Sequence, residues 1–374
     1  MSYVVNGLYH YQGNQDILEG MSVNKQKKEI SSFIKKRLLT NNLNFLLGSG
    51  CSFSAIPSMG DTFKKIKPEL KKSAIGKYYE EENDNIEDYL NWLNTALKFL
   101  SDSGESDKNI KDYQDNFLMT KEALLKSINI DYKAENSVMD LYIQFYNEIF
   151  SVRDNKDYTP VNIFTTNYDL FNEVALEKTN IRYTNGFRGI INRAFDPSEF
   201  NYRLVDDMNR YKDKWSIVRK FVKLYKVHGS IDWFYDSNTQ KVMQTSNSHH
   251  DTQNALIYPT INKHIETQQT PYSELFREFT INLQKSNSTL IVLGYGFPDQ
   301  HINQLISQAL SNEDFTLIVF ANLGEEKIEA FYSKHKNIKN IHVIGGCFSE
   351  DTSFSDGHHF DNIIRFMKGV GMDD

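Results

Sequence analysis

"STLIVLGYGFPDQHINQLISQAL" occupies Ser288–Leu310. Its first six residues run apolar without in-and-out alternation, which suits a strand covered on both faces. Gly294 and Gly296 break the run, and Pro298-Asp299 opens an amphipathic helix. A doubly covered strand that turns straight into a helix is one unit of a parallel sheet. The rhythm continues downstream with "FTLIVF" (315–320), "EEKIEAFYSKH" (325–335) and "IHVIGG" (341–346). Upstream it appears as "LNFLLGSGCS" (43–52), preceded by an amphipathic helix with Ile30, Phe33, Ile34 and Leu38 on one face. It appears again as "VNIFTTNYDLFNEVAL" (161–176). Alternating strands and helices predict an α/β fold, a Rossmann-like doubly wound parallel sheet covered on both faces.

Between the first two units the pattern changes. Ile86, Leu90, Leu93, Leu97 and Leu100 fall at helical spacing, as do Val138, Leu141, Phe145 and Ile149, with Ser137 as an N-cap candidate. Residues 76–155 read as an all-helical insertion into a Rossmann-like domain formed by 25–75 and 156–374. Residues 1–24 read as an N-terminal extension, with 1–20 expected to be a weakly ordered or partner-binding arm. Short strands are expected at "KLYKVHGS" (223–230) and "ALIYPT" (255–260), and a helix at "PYSELFREF" (271–279). Trp215, Phe221, Tyr225 and the run Trp233-Phe234-Tyr235 read as core or pocket wall.

Bulk properties exclude several classes. A net charge of −7 gives no reason to expect direct nucleic-acid binding. No apolar run approaches the ~20 residues of a membrane span, and the N-terminus lacks the pattern of a signal peptide. The two cysteines, Cys51 and Cys347, cannot build a four-cysteine zinc module. They fit a reducing, cytoplasmic setting. The adjacent pairs His249-His250 and His358-His359 lack metal-ligand spacing, so no metal is expected.

In parallel sheets ligands bind beyond the carboxyl ends of the strands. Four predicted strand ends carry small or polar residues: Gly48-Ser49-Gly50-Cys51-Ser52, Thr165 to Asp169, His228-Gly229-Ser230, and Gly294-Tyr295-Gly296-Phe297. All four should share one edge. Gly48 and Gly50 permit a tight turn and close approach to a phosphate, or simply a glycine turn. Phe53 stands where a Gly-x-Gly-x-x-Gly fingerprint has its third glycine, and no acid ends a clear second strand about 20 residues on. That disfavours an ordinary nicotinamide dehydrogenase, and the lack of Gly-Lys-Ser/Thr speaks against a P-loop nucleotidase. Thr166 and Asp169 fit helix capping. Asn167 is harder to explain that way, because its amide suits a water or a ribose hydroxyl. His228, on the ligand edge, is a general-base candidate. Asp299 could be only a helix-start acid.

In this order the four motifs resemble the sirtuin family. "GSGCSFSAIP" looks like its Gly-Ala-Gly-x-Ser…Gly-Ile-Pro loop, bringing in Pro57. "TTNYD" looks like Thr-Gln-Asn-Ile-Asp, "HGS" matches His-Gly, and "GYGF" stands in place of Gly-Thr-Ser. The deacylase Asp-Phe-Arg and zinc module are absent; Ile56-Pro57 is followed by Ser58-Met59-Gly60. "KVHGSIDW", "PYSELFREF" and "GYGFPDQHIN" resemble the bacterial sirtuin-like branch of antiphage defence. That resemblance implies an NAD hydrolase that releases nicotinamide and ADP-ribose and depletes NAD in abortive infection. It implies NAD as substrate, Asn167 and His228 as catalytic residues, and Asp169 orienting the Asn167 turn or lining the nicotinamide pocket. It also implies a homo-oligomer, alone or with a HerA-type ATPase. Deacylation, ADP-ribosyl transfer and noncatalytic NAD or ADP-ribose sensing stay open as alternatives.

Overall fold

A computed structural model describes residues 7–70, 86–103, 107–132, 134, 136–153, 158–245, 254–256, 270–348 and 355–369. Its centre is a nine-stranded sheet in the order β2-β1-β16-β15-β14-β3-β4-β10-β5. The strands are β1 (Leu8–Gln12), β2 (Gln15–Asp16), β3 (Asn42–Leu47), β4 (Val161–Thr165), β5 (Arg182–Thr184), β10 (Phe221–Lys226), β14 (Ser288–Leu293), β15 (Thr316–Phe320) and β16 (Ile341–Gly346). From β16 to β5 every pairing is parallel; β1 and β2 add an antiparallel hairpin at the edge. The expected α/β, Rossmann-like fold is the observed one.

Successive side chains show why both faces are covered. Leu43, Phe45 and Leu47 of β3 enter one core while Leu46 enters the other. Ile291 and Leu293 of β14 likewise oppose Leu290 and Val292. The first core is completed by α1 (Val23–Leu38), α5 (Ser137–Arg153), α6 (Phe171–Lys178) and α10 (Phe360–Lys368). The second is completed by α7 (Tyr272–Gln284), α8 (Gln300–Ala309) and α9 (Glu326–His335). Near the amino ends of the strands a buried amide ladder fixes register. Asn162 donates to Asn44 Oδ1 at 2.8 Å and to Asn282 Oδ1 at 3.0 Å, and Asn44 donates to Ser288 Oγ at 2.9 Å.

Helices α2 (Met59–Ile66), α3 (Ile86–Ser103) and α4 (Asp107–Ile128) share a small core of their own built on Phe63, Tyr89, Leu90, Leu93 and Leu124. Pro68 stands just beyond the end of α2, where the chain continues as a short 3-10 turn. Helix α5 instead packs on the sheet face, with Tyr142, Phe145, Tyr146 and Ile149 fully buried there.

Four local expectations are corrected. Residues 8–16 are not a loose arm. Leu8 to Gln12 pair in register with Gly346 to His342, and Leu8 is fully buried. The α5 N-cap is Asn136, whose Oδ1 accepts from Val138 N–H at 2.9 Å, rather than Ser137. "KLYKVHGS" is not one strand. Gly229, at φ +89°, lets the chain leave β10 and start β11 (Gly229–Asp236) in a second, five-stranded antiparallel sheet with β6 (Phe187–Arg188), β7 (Arg193–Phe195), β12 (Lys241–Gln244) and β13 (Asn254–Leu256), while β8 (Val205–Tyr211) and β9 (Lys214–Ile217) pair with each other. Trp215 and Tyr235 are not core, being 43% and 44% exposed, whereas Trp233 and Tyr225 are fully buried. Of "ALIYPT" only Ala255 and Leu256 are described, in β13 (Asn254–Leu256); 257–260 lie outside the described residues. Among the described residues no helix is long and apolar enough to cross a membrane.

Candidate active site

Chain order reverses at one place in the sheet. From β3 the chain moves to β4 on one side, and from β14 it moves to β15 on the other, so the switch point lies between β3 and β14. Leu293, Leu47, Thr165 and Lys226 form one row across four strands. Each of the four small-polar motifs starts at or just beyond this row, so all four share one edge.

The glycines make the switch point possible. A Cβ on Gly48 would lie 2.4 Å from the Gly294 carbonyl oxygen, and one on Gly294 would lie 2.5 Å from Cys51 N. Gly294 is also at φ +61°. Gly48 N–H donates to Leu293 O and Gly50 N–H to Gly294 O, each at 2.9 Å. Cys51 and Ser52 N–H donate back to Gly48 O and Ser49 O. Four of the five N–H groups from Gly48 to Ser52 are therefore bonded within the chain. Cys51 is buried, and burial above all pushes its thiol well up, so it is an inert packing group.

Above this crossing lies a cavity of about 270 Å³. Its polar wall contains Ser49, Ser52, Thr166, Asn167, Asp169, His228 and Asp299. Its apolar wall comes from Phe53, Ile56, Pro57, Met59, Leu124, Ile128 and Pro298, so α2 and the end of α4 help cover it. Of the residues singled out in the sequence, Ser49, Ser52, Pro57, Thr166, Asn167, Asp169 and His228 line this cavity. Gly48, Gly50, Cys51 and Gly294 to Phe297 stand behind it. Tyr295 and Phe297 are core residues, and Phe297 stacks on Phe331 at 4.3 Å between centroids.

Asn167 stands two residues beyond the end of β4. Its Nδ2 donates to Gly48 O at 3.0 Å and lies 3.4 Å from Ser52 Oγ, while its own N–H donates to Thr165 Oγ1. Because Gly48 O can only accept, the amide orientation is fixed. Oδ1 is left to accept from a ligand hydroxyl or water. Asp169 is buried; Oδ2 accepts from Ser52 Oγ at 3.0 Å and Oδ1 from Phe171 N–H at 3.1 Å at the start of α6. Burial pushes its carboxyl up, against the pull of Lys226 and these hydrogen bonds. Asp169 thus ties the first loop to the second.

His228 Nε2 lies 3.6 Å from Asp299 Oδ2, and both side chains are buried. Asp299 precedes α8 but its side chain makes no cap hydrogen bond. It holds the N-cap position of α8 while its carboxylate faces the imidazole. The sequence signal was present, since an acid beside "GYGF" lies on the ligand edge, but only the β10–β14 geometry reveals its partner. Among the described residues no group of three or more His, Cys, Asp or Glu side chains could hold a metal ion.

Residues 161–343 match the family model of the SIR2-like domain. That match supports a sirtuin-like family. The SIR2-like span carries Asn167, His228 and Asp299, while the 48–52 loop and α3–α4 precede it. The SIR2-like family suggests NAD-related, NAD-dependent enzyme activity. No curated protein matches the chain. A solved structure described as "The Structural basis for Sirtuin Substrate affinity" is similar at 11% identity and a TM-score of 0.35, covering 81% of this chain and 96% of its own. A likeness at that level assigns no residue here.

Proposed function

We propose that this protein is an NAD hydrolase that cleaves the nicotinamide–ribose bond. The observation that carries the reading is the meeting of Asn167, His228 and Asp299 on one cavity at the switch point, beneath an apolar cover. The nicotinamide ring is a cation when attached, so it leaves neutral with the electron pair of the C1′–N bond. Charge passes to an oxocarbenium-like ribosyl centre, as in glycoside hydrolysis. Water then bonds to C1′ and surrenders a proton to the His228 imidazole. Asp299 holds that ring in orientation and stabilises its protonated form. Asn167 Oδ1 accepts from a ribose hydroxyl or from the attacking water. The apolar side chains of Ile56, Met59, Leu124 and Ile128 limit access of bulk water. The pyrophosphate would meet the Ser49 hydroxyl and the rim of the 48–52 loop.

The proposed setting is antiphage defence, in which NAD loss halts an infected cell. The chain would act there as a homo-oligomer, alone or with a HerA-type ATPase, in the cytoplasm. The test is direct. Purified protein, with and without such a partner, is incubated with NAD and its products separated. Free nicotinamide plus free ADP-ribose is expected. His228→Ala should lower the rate about 100-fold or more, the usual contribution of a general base. His228→Ala and Asn167→Ala proteins that both keep the wild-type rate would sink the mechanism. ADP-ribose bound to protein would select transfer, and dependence on an acyl peptide would select deacylation.

A further inference from the structure

Directly under the cavity lies a buried ammonium group that the proposed reaction does not use. Lys226, the last residue of β10, is fully buried. Its Nζ donates to the Tyr168 carbonyl at 3.2 Å and to the Asp169 carbonyl, and lies 3.1 Å from Glu173 Oε1. Tyr168 and Asp169 are the two residues after Asn167. They belong to neither the β4 ladder nor helix α6, whose first bond out of the turn is Val174 N–H to Leu170 O. One residue earlier, the Asp169 carbonyl is taken by Lys226.

Packing does not explain this arrangement. A methionine would fill the same volume, and replacing a buried ion pair by apolar side chains is often neutral or stabilising. The Tyr168 carbonyl also accepts from Ile231 N–H at 3.1 Å, so what ammonium supplies and a methyl group cannot is a donor to the Asp169 carbonyl that ties it to its neighbour. Glu173, from the first turn of α6, provides the compensating charge. Its carboxyl is pushed up to about 7 by burial, against the opposing pull of Lys226 and with Asp232 adding to the rise.

We propose that Lys226, held by Glu173, is a positioning residue that fixes the turn carrying Asn167 and Asp169 against the cavity. Its effect on turnover rests on the NAD-cleaving reading; its effect on the turn does not. Lys226→Met alone strands the Glu173 charge and can fail to fold. The informative protein is Lys226→Met combined with Glu173→Met, which removes both charges. It should melt at or above the wild-type temperature. Hydrogen exchange at the amides of 167–171 should nevertheless quicken by about tenfold or more, as for a locally loosened segment. Turnover should fall by about 100-fold with KM nearly unchanged, the size expected of a misplaced catalytic group. Wild-type exchange across 167–171 in a stable double variant overturns the proposal whatever the turnover. Wild-type protein that releases no nicotinamide overturns the NAD reading instead, and the exchange measurement still decides the role of Lys226.

Discussion

The edge hairpin makes a quantitative prediction about acid stability. His10 Nε2 and His342 Nδ1 lie 3.0 Å apart between β1 and β16. Both rings are buried and pack on Phe33. Burial, then His342 and Arg37, push His10 down to about 3; burial, then Arg37, push His342 down to about 4. The unfolded chain protonates both rings as pH falls through the ordinary histidine value of about 6.5, while the folded protein keeps them neutral. Their contribution is therefore full above that value and is lost on the way down to the folded values. Each ring removes about 1.4 kcal/mol per pH unit in this window. By about pH 5 the pair has removed up to about 4 kcal/mol, a large share of a typical ~5–15 kcal/mol stability. Glu173 acts in the other direction, since the fold takes up its proton first as pH falls. Comparison with His10→Leu combined with His342→Leu cancels that contribution, because Glu173 is common to both proteins. Removing both partners also leaves neither ring nitrogen orphaned. Urea unfolding followed by fluorescence at about pH 7 and about pH 5 should show wild type losing up to about 4 kcal/mol more than the double variant. Equal losses in the two proteins would refute the account.

Three further outcomes are expected. Ser52→Ala removes the hydroxyl between Asp169 and Tyr142 and should destabilise by about 1–3 kcal/mol, read as a lower melting temperature. Gly294→Ala places a Cβ 2.5 Å from Cys51 N at a left-handed φ; it should cost about 2 kcal/mol or more in chemical denaturation and impair the cavity. Asp299→Asn keeps the shape beside His228 but removes the charge. Nicotinamide release should fall about 100-fold with KM little changed, and a wild-type rate would show that His228 works without this carboxylate.

The sheet was legible because its strands are apolar on both faces, a pattern that a single sequence displays without reference to neighbours. "STLIVL" and "FTLIVF" could hardly be anything but central strands, and the shared edge of the four motifs followed from parallelism alone. Asn167 was legible for a different reason: capping left its amide unexplained. Apart from the local N-cap, which falls at Asn136 rather than Ser137, the main failures depend on a partner remote in sequence. Leu8–Gln12 has too short a pattern to reveal that Ile341–Gly346 waits beside it. Asp299 looks like a helix-start acid until His228 is brought to 3.6 Å. Lys226 is one of two lysines in an otherwise largely apolar strand, and nothing local says that its ammonium turns inward to Tyr168, Asp169 and Glu173.

The same distinction bears on how the glycine motifs are read. Gly48-Ser49-Gly50 suggested a phosphate cradle, yet Gly50 N–H is directed at Gly294 O, and the glycines allow two loops to cross at contact distance. The pattern Gly-x-Gly followed much later by a second Gly-x-Gly is thus a statement about backbone meeting backbone at a switch point. That crossing brings the end of β14, and with it Asp299, next to the first loop. Asn167 completes the join by donating to Gly48 O on the cavity side. An alanine at 48 or 294 would push the two loops apart before any ligand entered. Phe53 at the third glycine position fits this reading, for it is 68% exposed and α2 begins only at Met59. The loop itself makes only a short 3-10 turn (Ser49–Cys51) and no α-helix starts directly behind it, so ligand contact falls to side chains, and the polar wall of Ser49, Asn167 and His228 is where sequence changes should alter chemistry rather than folding.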